Sequence, residues 1–194
     1  GLHTLPSAEL PFVFNSSVTA SAVFLEGRPG AELRAEDTST RMLAFHTGSP
    51  RVTLRGLGIG SPLLVAGGDL VVEDSSMTDC SAGGGGAVML SAGSLSARNT
   101  SFMRNRAAVG GAALLSGGTA SFQGCLLEQN VADDRGGAVF INGTAHVTFL
   151  DRTLLKGNTA PDSAGGSIWI EEDSGGTLTY KLPTPLGRWV LSGD

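Results

Sequence analysis

The sequence predicts an all-β chain folded as a right-handed single-stranded parallel β-helix of about seven coils. Three observations predict it: a self-similar period of about 25 residues, short strand-like alternation inside each period, and glycine at recurring positions. At 194 residues, 41% of them hydrophobic, the chain is long enough for one domain with a sizeable core. Its 29 glycines follow no Gly-X-Y period and proline is scarce, which excludes collagen and low-complexity coil. Glycine must then serve at regular structural positions.

The first part, residues 1–69, reads as an N-terminal cap with irregular coils. It opens Gly1-Leu2-His3-Thr4, with neither an initiator Met nor an apolar leader, so compartment has to be read from indirect signs. The second part, residues 70–170, holds the regular repeats. Four segments align there without internal gaps: LVVEDSSMTDCSA from Leu70, LSARNTSFMRNRA from Leu95, ASFQGCLLEQNVA from Ala120 and TFLDRTLLKGNTA from Thr148. One column holds Ser75, Thr100, Cys125 and Thr153, and another holds Met77, Phe102, Leu127 and Leu155. A core column extends through Leu33, Leu54, Val72, Ala97, Phe122, Leu150 and Leu178. Six steps at an inter-strand spacing of about 4.8 Å make a stack of roughly 29 Å. The third part, residues 171–194, leaves the pattern, and Pro183 and Pro185 fit an exit strand or cap.

Each period also carries an Asn, at Asn105, Asn130 and Asn158, with Cys80 in the same column. Stacked amides about 4.8 Å apart can hydrogen-bond as a ladder, so these residues read as structural; the functional alternative is a polar groove for sugars. A Gly-Gly pair then precedes a third strand whose two faces are both apolar. Val88, Ala113, Val139 and Ile168 form one face, and Met89, Leu114, Phe140 and Trp169 form the other. Alternation alone leaves open which is inside. If the second set is outside, it is an exposed stripe of the kind that marks a partner contact. No stretch sustains a 3.6-residue apolar period with caps, so helices and βαβ units are not expected.

With these columns placed, the chain resembles the repeat of the polymorphic outer membrane protein family, whose short motifs are GGA followed by an aliphatic residue, and FxxN. They stand here as Gly85-Gly86-Ala87-Val88, Gly136-Gly137-Ala138-Val139 and Phe102-Met103-Arg104-Asn105. The other FxxN positions depart, at Met77 to Cys80, Leu127 to Asn130 and Leu155 to Asn158. The resemblance covers residues 70–170. It implies a surface passenger domain, often adhesive, and similar repeats occur in large predicted surface proteins of microbial eukaryotes. A secreted or cell-surface location, with a protein or glycan partner or neighbouring subunits of an assembly, follows from that resemblance. No carboxy-terminal membrane barrel is read in these 194 residues, so the resemblance is not extended to an autotransporter assignment.

Chemistry-bearing residues are sparse. Of the acids Asp133, Asp134, Asp162, Glu171, Glu172 and Asp173, with Arg135 beside the first pair, most fall in variable loops, and they recur in no outward column. They read as solvated turns, and as the acid pair of a polysaccharide lyase or hydrolase only on a competing reading. His3, His46 and His146 have no metal-ligand spacing, and Gly67-Gly68-Asp69 echoes a calcium repeat only once, so no metal or cofactor is expected. Cys80 and Cys125 lie two coils apart and are expected to remain free thiols. Sequons at Asn15, Asn99 and Asn142 are candidate glycosylation sites if the chain passes through a eukaryotic secretory route. The interrupted Ser75, Thr100, Cys125, Thr153 column is expected to face inward, which argues against an ice-binding array. A net charge of −5 without a Lys/Arg cluster argues against nucleic acid, and no apolar run approaches the roughly 20 residues that span a bilayer. The expectation is a non-catalytic surface or extracellular structural or adhesion domain that presents a side wall. The alternative is a carbohydrate-active β-helix enzyme.

Overall fold

A computed structural model describes residues 2–5, 12–37, 39–161, 165–172 and 174–181, and the description below concerns those residues. Every strand pairing among them is parallel, and none of them is helical. The first rung holds β1 (Leu2–Leu5), β2 (Phe12–Phe14) and β3 (Ala22–Glu26), and the second holds β4 (Glu32–Ala35), β5 (Leu43–His46) and β6 (Arg51–Arg55). The third holds β7 (Gly58–Ile59) and the long β8 (Leu63–Glu73); the fourth holds β9 (Ser76–Thr78), β10 (Ser81–Gly84) and β11 (Val88–Arg98). The fifth holds β12 (Ser101–Met103), β13 (Arg106–Val109), β14 (Ala113–Leu115) and β15 (Thr119–Gln123). The sixth holds β16 (Leu126–Glu128), β17 (Val131–Arg135), β18 (Val139–Ile141) and β19 (His146–Leu150). The last holds β20 (Leu154–Lys156), β21 (Ile168–Ile170) and β22 (Thr177–Lys181).

These rungs stack into a parallel β-solenoid of about six turns, walled by a 7-stranded sheet, a 3-stranded sheet and a 12-stranded sheet. One coil buries almost nothing alone; stacking places equivalent side chains over one another and closes the interior. Phe122 packs on Phe102 at 5.7 Å and on Phe149 at 5.2 Å, and Phe149 packs on Tyr180 at 5.5 Å, so rings fill the lower interior rung by rung.

Strand register corrects the core column at both ends. Leu54, Val72, Ala97 and Phe122 are paired as expected, but the next members are Phe149 and Tyr180 rather than Leu150 and Leu178. Leu150 instead pairs with Gln123 on the outer face, and Leu178 sits in a second inward column with Val147, Ala120 and Leu95. Leu33 belongs to the column of Ile59, Met77 and Phe102. The cause is a one-residue insertion. The turn after β15 is Gly124-Cys125, whereas the turn after β19 is Asp151-Arg152-Thr153, yet the Thr153 hydroxyl still accepts from the Cys125 backbone N–H at 3.2 Å. A gapless alignment anchored on Thr153 therefore shifts the preceding strand by one, and with a period of two that moves each residue to the wrong face.

Left-handed backbone recurs at the corners. Asp74, Asn99, Gly124 and Asp151 share one such corner, and Asp79, Arg104, Gln129 and Gly157 share the next. The residue before the Asn column, rather than the Asn itself, takes the positive φ. At the Gly-Gly pair the two glycines have separate reasons: Gly110 has φ 62°, while a Cβ on Gly111 would sit 2.2 Å from the Gly137 carbonyl oxygen.

Candidate functional site

The Asn column lies inside the solenoid. The Asn105 backbone N–H and Nδ2 donate to Asn130 Oδ1 at 3.0 and 2.9 Å, and Asn130 repeats both bonds to Asn158 Oδ1. The spare Nδ2 hydrogens reach the carbonyls of Met77, Phe102 and Leu127. With Asn105 and Asn130 fully buried, the column offers no groove to a sugar. Cys80 heads it, with its N–H donating to Asn105 Oδ1 at 3.1 Å.

Cys80 and Cys125 are both free and buried. Desolvation raises the Cys80 thiol from 9.0 to about 12 and the Cys125 thiol to about 11, so neither is a nucleophile near neutral pH. The Ser75, Thr100, Cys125, Thr153 column is buried beside them.

The third strand places its smaller residues inward: Val88, Ala113 and Val139 are buried, and Ile168 is half-buried on the last rung. Met89, Leu114, Phe140 and Trp169 form the outward column, paired rung to rung, and Leu64, Ala44 and Val13 extend it toward the first rung. It runs along a crease rather than an open face. The Gly-Gly corner folds β10, β13 and β17 against it, so a Cβ built on Gly84 would meet Leu114 Cδ2 at 2.8 Å, and Phe140 is only 6% exposed. Met89, Leu114 and Trp169 are half-buried.

An arginine closes each end of this crease. Arg41 donates to the carbonyls of Leu63 and Gly84 at 3.0 and 2.9 Å and reaches Met89 Sδ at 3.4 Å. Burial holds its guanidinium below the ordinary arginine range. At the other end the Arg135 guanidinium lies 5.3 Å from the Trp169 ring centroid and pairs with Glu171 at 3.1 Å. Trp169 Nε1 is buried with no hydrogen-bond partner among the described residues. The two arginines were not legible as rim residues, because each is brought to the stripe by a different rung from the side chain it touches.

The candidate acids are held by cations. Asp133 pairs with Arg106, and Asp134 and Glu171 both pair with Arg135, at 3.6 and 3.1 Å. Glu172 lies at a turn, and Asp162 and Asp173 lie outside the described residues. Elsewhere opposite charges face one another across rungs, as in the bidentate Arg104–Asp79 pair at 2.9 Å and Lys156–Glu128 at 2.8 Å. Arg104 holds the Asp79 carboxyl below the usual carboxylate range. Among the described residues no three His, Cys, Asp or Glu side chains are grouped to hold a metal. His3 lies on β1, His46 ends β5, and His146 Nδ1 is 2.7 Å from Thr177 Oγ1. Asp69 accepts from the Ser94 hydroxyl at 2.6 Å.

Of the sequons, Asn99 is exposed at a turn with φ 46° and donates to Asp74 Oδ1 at 3.2 Å. Asn15 Oδ1 accepts from the Ser17 backbone N–H at 2.8 Å, and Asn142 Oδ1 is buried without a hydrogen-bond partner among the described residues. A second outward feature escaped the sequence reading. Thr53, Ser96, Ser121, Thr148 and Thr179 share one outward column with Val71, and Ser94, Thr119, His146 and Thr177 share its neighbour. Serine or threonine at i and i+2 on β11, β15 and β22 was the available signal. No helix of the described residues is long and apolar enough to cross a membrane. Comparison with protein-family models, with curated proteins and with solved structures found no match.

Proposed function

We propose that the chain is a non-catalytic structural or adhesion domain, secreted or at a cell surface, that holds a protein or glycan partner along a side wall. The observation that carries this reading is the apolar column outside the core on four successive rungs, Met89, Leu114, Phe140 and Trp169, closed at its ends by Arg41 and Arg135. A continuous apolar row beside donors suits an elongated ligand with acceptors at intervals, and Trp169 Nε1 is one such unfilled donor. The resemblance to the polymorphic outer membrane protein repeat, with its right-handed β-helix, supports surface display. Engagement of Asp133, Asp134 and Glu171 in ion pairs with Arg106 and Arg135 weighs against the carbohydrate-enzyme reading.

Biosensor binding of the purified chain to arrayed extracellular glycans and surface proteins tests the proposal. The variants L114E and W169A should weaken the captured interaction at least about tenfold while the melting temperature stays near wild type. Unchanged binding by both variants would sink the reading. So would polysaccharide cleavage that is lost in D133A or D134A.

A further inference from the structure

The corner that follows β6, β8, β11, β15 and β19 is uneven. Gly56, Asp74, Asn99, Gly124 and Asp151 stack there on successive turns, and each of the first four donates its N–H to the residue just before the corner of the next turn. Side chains project at Asp74, Asn99 and Asp151, while the two glycines leave gaps. A depression lies at each gap. The first, of about 730 Å³, is lined by Gly30, Gly56 and Gly58 among others. The second, of about 550 Å³, lies at Gly124. Both fall within the size range of small-ligand sites, roughly 300–1,000 Å³.

Asn99 stands between the two depressions and lines both. Its Nδ2 donates to Asp74 Oδ1 at 3.2 Å on the first side, and its Oδ1 lies 2.9 Å from where a Cβ on Gly124 would sit on the second. Glu32, Arg34, Ser76 and Thr78 also line the first. It is open because Gly58 separates Glu32 from Ser76, and Gly60 follows it on the same outward face. The Arg34 side chain fills the place over Gly60, where a Cβ would come 2.4 Å from Nε. Over Gly58 nothing does, and the atoms nearest a Cβ there are 3.5 Å away. Arg98, Gln123, Asp151 and Arg152 line the second depression. Charge balances at each. Beside the first, Arg34 pairs with Glu32 at 2.7 Å and Arg55 with Asp74 at 3.5 Å. Beside the second, Arg98 pairs with Glu73 at 3.5 Å, Gln123 donates to Asp151 Oδ2 at 2.5 Å, and Arg152 is exposed with no ion pair to another described residue.

We propose that this corner binds a neutral oligosaccharide laid along the stack, with sugar units in both depressions and Asn99 between them. A sugar hydroxyl both donates and accepts, and the trough offers both kinds of group: acceptor oxygens on Asp74, Asn99 and Asp151, donors on Arg34, Ser76 and Arg152. Balanced charge selects against a charged ligand. Leu57 is the largest apolar side chain lining the first depression, and no apolar side chain lines the second, so a peptide would find little to bury its own side chains against. Gly56 and Gly124 are three steps apart, about 14 Å at the rung spacing, a span for several sugar units rather than one. The site is separate from the crease, since Met89 lies at the start of β11 and Arg98 at its end.

Amide NMR of the isotope-labelled chain tests it, titrated to millimolar concentration with neutral oligosaccharides of glucose, mannose, galactose, xylose and N-acetylglucosamine. At least one should shift the Gly58 and Gly124 backbone amides and the Asn99 side-chain amide together. Gly58→Gln places a side chain in the open space of the first depression, and R152A removes a donor from the second; neither position has left-handed backbone. Each should weaken binding about fivefold, the loss of roughly one hydrogen bond, with the melting temperature near wild type. L114E, on the crease, should bind the same sugar as wild type does, so failure of this site and failure of the crease reading are told apart. Absence of shifts with every sugar overturns the proposal, as does binding insensitive to both Gly58→Gln and R152A. Shifts confined to the crease and lost in L114E overturn it too, and so does a response to acidic oligogalacturonate alone.

Discussion

Asn130 shows how much one side chain does in a stacked fold. Its Oδ1 accepts two bonds from Asn105, and its Nδ2 donates to the Phe102 carbonyl and to Asn158 Oδ1, all in a fully buried setting. Asn130→Ala orphans buried donors and acceptors on two neighbouring rungs, and urea unfolding should report a loss of about 3 kcal/mol. Cys80 is the converse case. Its Sγ lies 3.6 Å from the Ile59 carbonyl, where the other members of the column place an amide nitrogen. Cys80→Asn should extend the ladder by one amide and raise stability by about 1 kcal/mol in the same measurement. The Asn column and its structural role were legible in the sequence because identical residues recurred at the repeat spacing. The two cysteines were legible as free thiols for the same reason, since their columns and rungs separate them.

The thiols also set a pH dependence. Burial raises Cys80 from 9.0 to about 12 and Cys125 to about 11, and it raises Tyr180 in the same direction. Above the ordinary thiol value the unfolded chain releases these protons while the folded chain keeps them, so the unfolded state binds fewer protons and stability falls as pH rises. The contribution is fully present below the ordinary value. The midpoint of urea unfolding should therefore drop on the alkaline side of 9.0, and C80A/C125A should make that drop shallower. A thiol reagent applied to the folded protein at neutral pH should label neither cysteine, and full labelling without denaturant would contradict the assignment.

At the scale of the element, corners decide more than strands. Gly111 and Gly83 read alike in composition but not in space. A Cβ on Gly111 would clash with the Gly137 carbonyl oxygen at 2.2 Å and with Val131 backbone atoms at 2.7 Å, whereas nothing lies within 4 Å of one on Gly83. Gly111→Ala should cost about 3 kcal/mol in thermal or urea unfolding, while Gly83→Ala should change stability by less than about 0.5 kcal/mol. The Gly-Gly recurrence announced such corners in advance. What the recurrence did not locate was the extra residue after β19, because a column of Ser, Thr and Cys tolerates a shift in what precedes it. Arg152 is exposed in that turn, and the insertion is absorbed there without breaking the ladder.

At the scale of the whole molecule, stacking converts sequence columns into walls. One wall carries the apolar crease between Arg41 and Arg135, another carries rows of Ser and Thr, and acids and arginines alternate along the edges between them. The partner proposed for the crease belongs to this scale, since no single rung displays that surface. Surface ion pairs of this kind are individually worth little in stability, which fits a role in keeping register and discouraging wrong pairings. The two acids an enzyme reading needs most are also engaged, Asp133 with Arg106 across rungs and Asp134 with its neighbour Arg135.

The sequence alone determined the parallel stack, its period, the buried Asn column and the glycine corners. Each of these repeats along the chain, and repetition at a fixed spacing implies neighbours in space without further information. Tertiary structure decided which face of the third strand is inside, which residues complete the core column after Phe122, and which arginines meet the stripe. Both faces of that strand are apolar, so alternation could not choose between them; the choice came from the Gly-Gly corner, which folds one wall onto the larger side chains and leaves the smaller ones to fill the interior.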